Sequence, residues 1–420
     1  MKDRTRALGQ WVLLGAVVGV ACGVASAIFL LSLDRVTAFR QAHESLVYAL
    51  PLAGLVVGAV YHRFGKPIEG GSNLVLDTVH EGSAQLPLRM APMVLFGTLA
   101  THLFGGSAGR EGTAVQMGAS LADALAHRLG VSREARRQML CAGIAGGFGS
   151  VFGTPIAGLV FGLEVVTVGR IEYDALVPAL VASVVGDLVT QRLGVVHTAY
   201  PTVGHVPLDA KVAGSLVVLA VAMALATVAF VELTHRTKAL LAKRVPLLPL
   251  RMALGGVVVV ALWKLSGTSD VLGLGVPTIL RAFSDPSLPA SAFAWKLLLT
   301  SLTLSAGFLG GEVTPLFFVG ATLGSVLARL LGLPIELGAG VGLAAVFGAA
   351  ANTPIALSIM AVEVLGAHVL PHVAIVTVIA YLLTGHRGIY PSQRLVRRKH
   401  GGGLFPAPIR LRDVDEPPPP

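Results

Sequence analysis

The chain has 420 residues, of which 54% are hydrophobic and only 13% charged, and its mean hydropathy is +0.75. Soluble domains carry about a quarter charged residues, so a water-soluble globule is excluded and an all-α polytopic membrane protein is expected. The net charge of +9 is local, collecting in 2–6, 128–137, 235–251 and 387–400 beside apolar runs, as the positive-inside rule requires. Both termini are therefore expected in the cytoplasm. The cluster Arg394–His400 lacks interleaved aromatics and a soluble domain to carry it, so no nucleic-acid partner is expected.

In chain order, the basic N-terminus leads into an apolar run, Trp11–Leu33, that is too long for a signal core and reads as a first membrane helix. Glu69-Gly-Gly-Ser-Asn-Leu74 then opens a shorter apolar stretch, and Gly109-Arg-Glu-Gly-Thr113 places an acid between apolar segments. An ionisable group at membrane depth is costly and marks an ion or proton pathway. The glycine-rich run 142–153 is expected to be a broken helix, as is 338–351. Gly214–Val231 and 252–265 read as further spans, divided by a basic region. Gly310-Gly-Glu-Val-Thr-Pro315 brings a second acid in a glycine cluster, and Gly385-His-Arg-Gly-Ile-Tyr-Pro391 follows the last apolar span. Cys22 and Cys141 lie in apolar stretches, where they serve as small hydrophobes; neither a disulfide framework nor a metal site is expected.

An internal repeat organises these segments. Thr154-Pro-Ile-Ala recurs as Thr353-Pro-Ile-Ala, an offset of 199 residues, and Glu111 recurs as Glu312 at an offset of 201. Downstream of each acid lies a matching pair, Gly118-Ala-Ser-Leu121 and Gly320-Ala-Thr-Leu323. Duplicated halves with interrupted helices characterise transporters whose substrate site lies at the repeat interface. The expected division is a first membrane repeat over 1–240, a second over 241–400, and a disordered cytoplasmic tail over 401–420. Glycine-led helix starts expose backbone N–H groups at the positive end of a helix, which suits an anion. Ser72, Asn73 and Tyr390 add side-chain donors. With no nucleophile–base pair and no metal cluster at convincing spacing, neither an enzyme nor a cofactor is expected.

The set Gly71-Ser72, Gly109-Arg-Glu-Gly112, Gly310-Gly-x-x-x-Pro315 and Tyr390 resembles the CLC family of anion channels and proton-coupled antiporters, over about residues 10–395. That resemblance implies inverted repeats around a central anion site and a homodimer with one pore per subunit. It also makes Glu111 the gating and proton-carrying glutamate. Four positions depart from the chloride pattern: Asn73, Thr113 in place of a proline, Glu312 within the second motif, and Val165 where chloride exchangers have an inner proton relay. With Phe317 and Phe318 downstream, these are similar to the fluoride/proton antiporter branch. The expected function is fluoride export in exchange for protons across a bacterial inner membrane. Chloride/proton exchange and a passive chloride channel remain as alternatives.

The expected anion-binding residues are Ser72, Asn73, Thr113, Phe317, Phe318 and Tyr390, with Glu111 and Glu312 handling protons. Which of Ser72 and Asn73 faces the ion is open from sequence. Glu164, Glu363, Arg110 and His102 are expected to be structural.

Overall fold

The computed structural model describes residues 2–82, 85–399 and 403–414. Among them the chain forms sixteen α-helices in two series of eight. The first series is α1 (Lys2–Ala42), α2 (Leu50–Phe64), α3 (Ser72–Glu81), α4 (Met90–Leu103), α5 (Glu111–Arg128), α6 (Arg133–Phe152), α7 (Pro155–Glu164) and α8 (Leu176–Arg192). The second is α9 (Ala210–Arg244), α10 (Leu248–Ser266), α11 (Val276–Arg281), α12 (Ala292–Ala306), α13 (Val313–Leu331), α14 (Ile335–Ala350), α15 (Pro354–Leu365) and α16 (Leu370–Leu383). Each helix of the first series has a counterpart of similar character in the second. The division therefore falls within 193–209, ahead of the basic region expected to mark it, and α9 opens the second repeat.

Six segments, including Leu8–Ala42, Ala210–Arg244 and Val313–Leu331, are long and apolar enough to cross a bilayer by length and composition. Outward-facing apolar side chains line them: Leu13, Val17, Val20, Val24 and Ile28 on α1, and Val217, Val218, Val221 and Leu225 on α9. Such a continuous apolar exterior would be untenable in water and matches contact with lipid tails.

The glycine-rich runs are not breaks. Residues 142–152 lie within the continuous helix α6, and 338–350 within α14. Their glycines instead permit close approach: a Cβ on Gly320 or Gly342 would overlap the other's carbonyl oxygen. Small residues at contact points are how helices pack tightly where lipid supplies no hydrophobic drive between them. True interruptions occur at the half-helices α3, α7, α11 and α15.

The halves exchange caps. The Glu164 carboxylate accepts the N–H groups of Ile355 and Ala356 at 3.1 and 2.8 Å, at the start of α15. Glu363 accepts those of Ile156 and Ala157 at 2.9 and 2.7 Å, at the start of α7. Each acid satisfies two orphan N–H donors of the other repeat's half-helix. That reciprocity requires a two-fold relation between the halves, which are inverted repeats, and it gives both acids the structural role expected of them.

Part of the expected tail is ordered. Leu404–Arg410 forms β3, paired antiparallel with β2 (Arg394–Arg397), and β2 pairs in parallel with β1 (Thr167–Val168). Backbone pairing and arginine contacts hold a segment whose composition alone suggested disorder. Residues 401–402 and 415–420 lie outside the described residues.

Candidate functional site: two carboxylates at a repeat junction

The two glycine motifs meet directly. Gly109 N–H donates to the Gly311 carbonyl at 2.6 Å and Gly311 N–H to the Gly109 carbonyl at 2.9 Å, forming one antiparallel bridge. Gly310 enters this bridge at φ +150°, a conformation open to glycine and strained for other residues. Immediately after it, one chain turns into α5 and the other into α13, so two helix N-termini converge on the same place.

Glu111 opens α5, yet its side chain serves α13. It is 1% exposed. The Thr314 hydroxyl lies 2.7 Å from both carboxylate oxygens, donating to one at a time. Oε2 also accepts the N–H of Thr314 at 3.2 Å and of Arg110 at 3.2 Å. Arg110 Nε stands 3.5 Å from Oε1. A carboxylate at the first turn of another helix, held by backbone N–H groups, occupies the position a free anion would take.

Glu312 sits at the same point of the other repeat, as the N-cap residue of α13, and its side chain makes no capping bond to its own helix. Its Oε2 reaches the first turn of α5: a Cβ built on Gly112 would lie 3.8 Å from it. The two acids thus lean toward each other's helix, as Glu164 and Glu363 do farther along. Thr113 is buried, with its hydroxyl 2.8 Å from that of Thr98 on α4.

One turn along α5, a narrow cavity is lined by Ser72, Val75, Leu76, Val115, Ile144, Phe161, Val165 and Tyr390. Ser72 opens α3 after Gly71, and its oxygen accepts from Gln116 Nε2 at 3.2 Å. Tyr390 is 5% exposed. Ser72 and Tyr390 are the hydroxyl-bearing residues of an otherwise apolar lining. Val165 meets this cavity with an apolar side chain, so that position has no proton-carrying group.

Ser72 and Tyr390, which sequence proposed together, do share this cavity. Asn73 does not line it: its Oδ1 accepts the N–H of Ser392 at 3.0 Å, which ties it to the C-terminal segment. The two phenylalanines diverge. Phe317 is edge-on to Phe152 and Phe347, with ring centroids 5.2 and 5.6 Å away. Phe318 lies 5.3 Å from the buried Lys296 ammonium, so its face compensates a cation. Neither ring lines the cavity; Phe161 does, packing on Phe347 at 6.1 Å.

His102 is a core residue, with Nδ1 2.8 Å from the Thr98 carbonyl and Nε2 3.1 Å from that of Ala108. Both cysteines are buried and free. A second cavity, a vestibule of about 360 Å³, reaches Arg110, with Arg40, Thr37, Asp34, Glu44 and Asp270 among its walls. Sequence reasoning missed Thr314 and Gln116. The signal for Thr314 was a hydroxyl two residues after Glu312, in the motif already singled out.

Three comparisons bear on this arrangement. The profile of the voltage-gated chloride channel family matches residues 53–385. A protein of Pseudomonas syringae pv. tomato named chloride/fluoride channel protein is 46% identical over 97% of this chain and 91% of its own length. Among solved structures, a CLC-type fluoride/proton antiporter superposes with a TM-score of 0.90 at 37% identity, over 94% of this chain and 99% of that one. A slow cyanobacterial Cl⁻/H⁺ antiporter superposes with a TM-score of 0.77 at 17% identity, over 89% and 94% of the two chains; this likeness concerns the fold alone.

Proposed function

The chain belongs to the voltage-gated chloride channel family, and from that premise we propose that it exports fluoride from the cytoplasm in exchange for protons. The observation that carries this reading is the Glu111 carboxylate seated at the start of α13 on Thr314. Ionised, it competes with an anion for the N–H groups there, while the Thr314 hydroxyl adds a bond that holds the carboxylate. Protonated, it loses the charge that holds it there, leaves, and admits the anion. One group thereby couples opposite movements of anion and proton.

Fluoride is small and strongly hydrated, so stripping its water demands well-aimed donors. The Ser72 and Tyr390 hydroxyls and the N–H groups at the start of α13 supply them. Glu312, beside the first turn of α5, is proposed as a second proton-handling carboxylate. The similar protein named chloride/fluoride channel and the solved fluoride/proton antiporter both support fluoride as substrate. Chloride/proton exchange is the second reading. It is favoured by one feature, that Ser72 rather than Asn73 lines the cavity. A passive channel would conduct without coupling.

We place the protein in a bacterial inner membrane with both termini in the cytoplasm, from the basic clusters at each end. A homodimer with one pore per subunit is proposed by family likeness. The test is proton uptake by proteoliposomes under an imposed outward fluoride gradient, with chloride in parallel. Fluoride is expected to drive protons uphill and chloride to do so poorly. Equal driving by both supports chloride/proton exchange, and anion flux without proton movement supports a channel. Glu111→Gln is expected to abolish proton coupling; unchanged proton-driven transport would remove Glu111 from the mechanism.

A further inference from the structure

The three segments that bring Ser72, Val165 and Tyr390 to one cavity come from distant parts of the chain. All three are tied to the C-terminal sheet. Tyr390 stands four residues before β2 and Val165 two residues before β1. Gln393, fully buried, donates through Nε2 to the carbonyls of Val165 and Ala351, each at 2.8 Å, and accepts from Asn352 at 2.9 Å.

The Ser72 helix, α3, is gripped along its length. Asn73 accepts the Ser392 N–H, and Asp77 accepts the Ser392 hydroxyl at 2.9 Å. Arg410 of β3 stands 3.3 Å from Asp77 and also bonds Glu81. Arg394 of β2 bonds Glu81 at 2.8 Å. Two arginines on adjacent strands thus converge on one helix with two carboxylates.

We propose that this C-terminal sheet is a positioning clamp for the Ser72–Tyr390 cavity, with Arg394, Arg410, Asp77 and Glu81 fixing α3 so that Ser72 stays on the cavity with Tyr390. The clamp residues touch no transported ion. They act by holding Ser72 and Tyr390 on one cavity, and preorganised donors bind without a further ordering cost. Loss of the clamp lets the start of α3 move. Affinity on the tail side of the membrane falls, while the Glu111 coupling chemistry at the repeat junction is unaffected.

The inference rests on the reading of Ser72 and Tyr390 as an anion site, so its test has one arm that needs no transport. In purified protein, Arg394→Glu with Arg410→Glu is expected to raise hydrogen exchange over 70–76 while leaving 111–120 protected. In proteoliposomes, the same variant is expected to raise the half-saturating fluoride concentration on the tail side roughly fivefold, the low end of typical site-to-site coupling. Maximal rate and proton:fluoride ratio stay unchanged. Charge exchange, adding Asp77→Arg and Glu81→Arg, should restore both properties, and Arg394→Lys with Arg410→Lys should retain most of them. Wild-type exchange over 70–76 in the glutamate variant would overturn the clamp. So would affinity and coupling lost together in a monodisperse protein. Confirmed loosening of α3 in a protein that moves no fluoride would refute the transport reading and leave the clamp standing.

Discussion

At the scale of single residues, the site turns on which donors a carboxylate can reach. Glu111 finds a hydroxyl and an N–H from the other repeat, so Thr314 decides how firmly the acid is held at the start of α13. A hydrogen bond to a charged group is worth about 1.5–3 kcal/mol. Thr314→Val keeps the shape and removes the hydroxyl. It is expected to tighten apparent fluoride binding by on the order of tenfold, because the competing carboxylate is held less well. Titration calorimetry on purified protein reads this directly; unchanged or weaker binding would count against competition at that position. The Asn73 result works in the other direction. Its departure from the chloride pattern pointed at the ion, but its side chain serves the C-terminal clamp, and adjacent residues at a helix start face different ways.

At the scale of elements, small residues set how near two helices stand. Gly320 on α13 and Gly342 on α14 each leave no space for a side chain, since the other's carbonyl oxygen is already there. Gly342→Val must separate α13 from α14, and overpacking of this kind costs about 1–3 kcal/mol or more. The expected outcome is a lowered Tm in detergent and loss of monodispersity. Gly214→Ala, where nothing lies within 4 Å, should not lower Tm, because alanine favours the helix over glycine.

The tail sheet adds a pH dependence. Slight burial raises the Glu81 carboxyl, but Arg410 and Arg394 more than offset this and hold it below its ordinary value of 4.5. A depressed carboxyl stabilises the docked tail fully above that ordinary value and loses the contribution as pH falls through the lower one. Pepsin cleavage beside Phe405 is therefore expected to accelerate as pH drops below about 4.5. Glu81→Gln should cleave readily at every pH in that range.

At the scale of the whole molecule, two inverted repeats build one site from two half-sites. The division after α8 gives each half eight helices, and the halves interlock through reciprocal acids at helix starts. Glu164 and Glu363 stay in this structural exchange. Glu111 makes the same crossing, but its neighbour Arg110 lines a vestibule and Val115, one turn along α5, lines a cavity. The same crossing geometry therefore recurs at two places along the repeat interface, and at one of them we propose that the carboxylate is released as a gate.

Sequence by itself determined the solvent, the duplication and the residue types at the site. Mean hydropathy, run lengths and matched motifs are local properties of a chain, and they do not depend on how its parts are brought together. Broken helices could not be told from tightly packed ones, because glycine serves both. Only the tertiary structure decided that Glu111 bonds Thr314, 203 positions away, that Ser72 rather than Asn73 lines the cavity, and that the tail joins the sheet beside it. Each of these depends on the two-fold relation between the halves and on side-chain directions at helix starts. Neither is encoded in the pattern of any single segment.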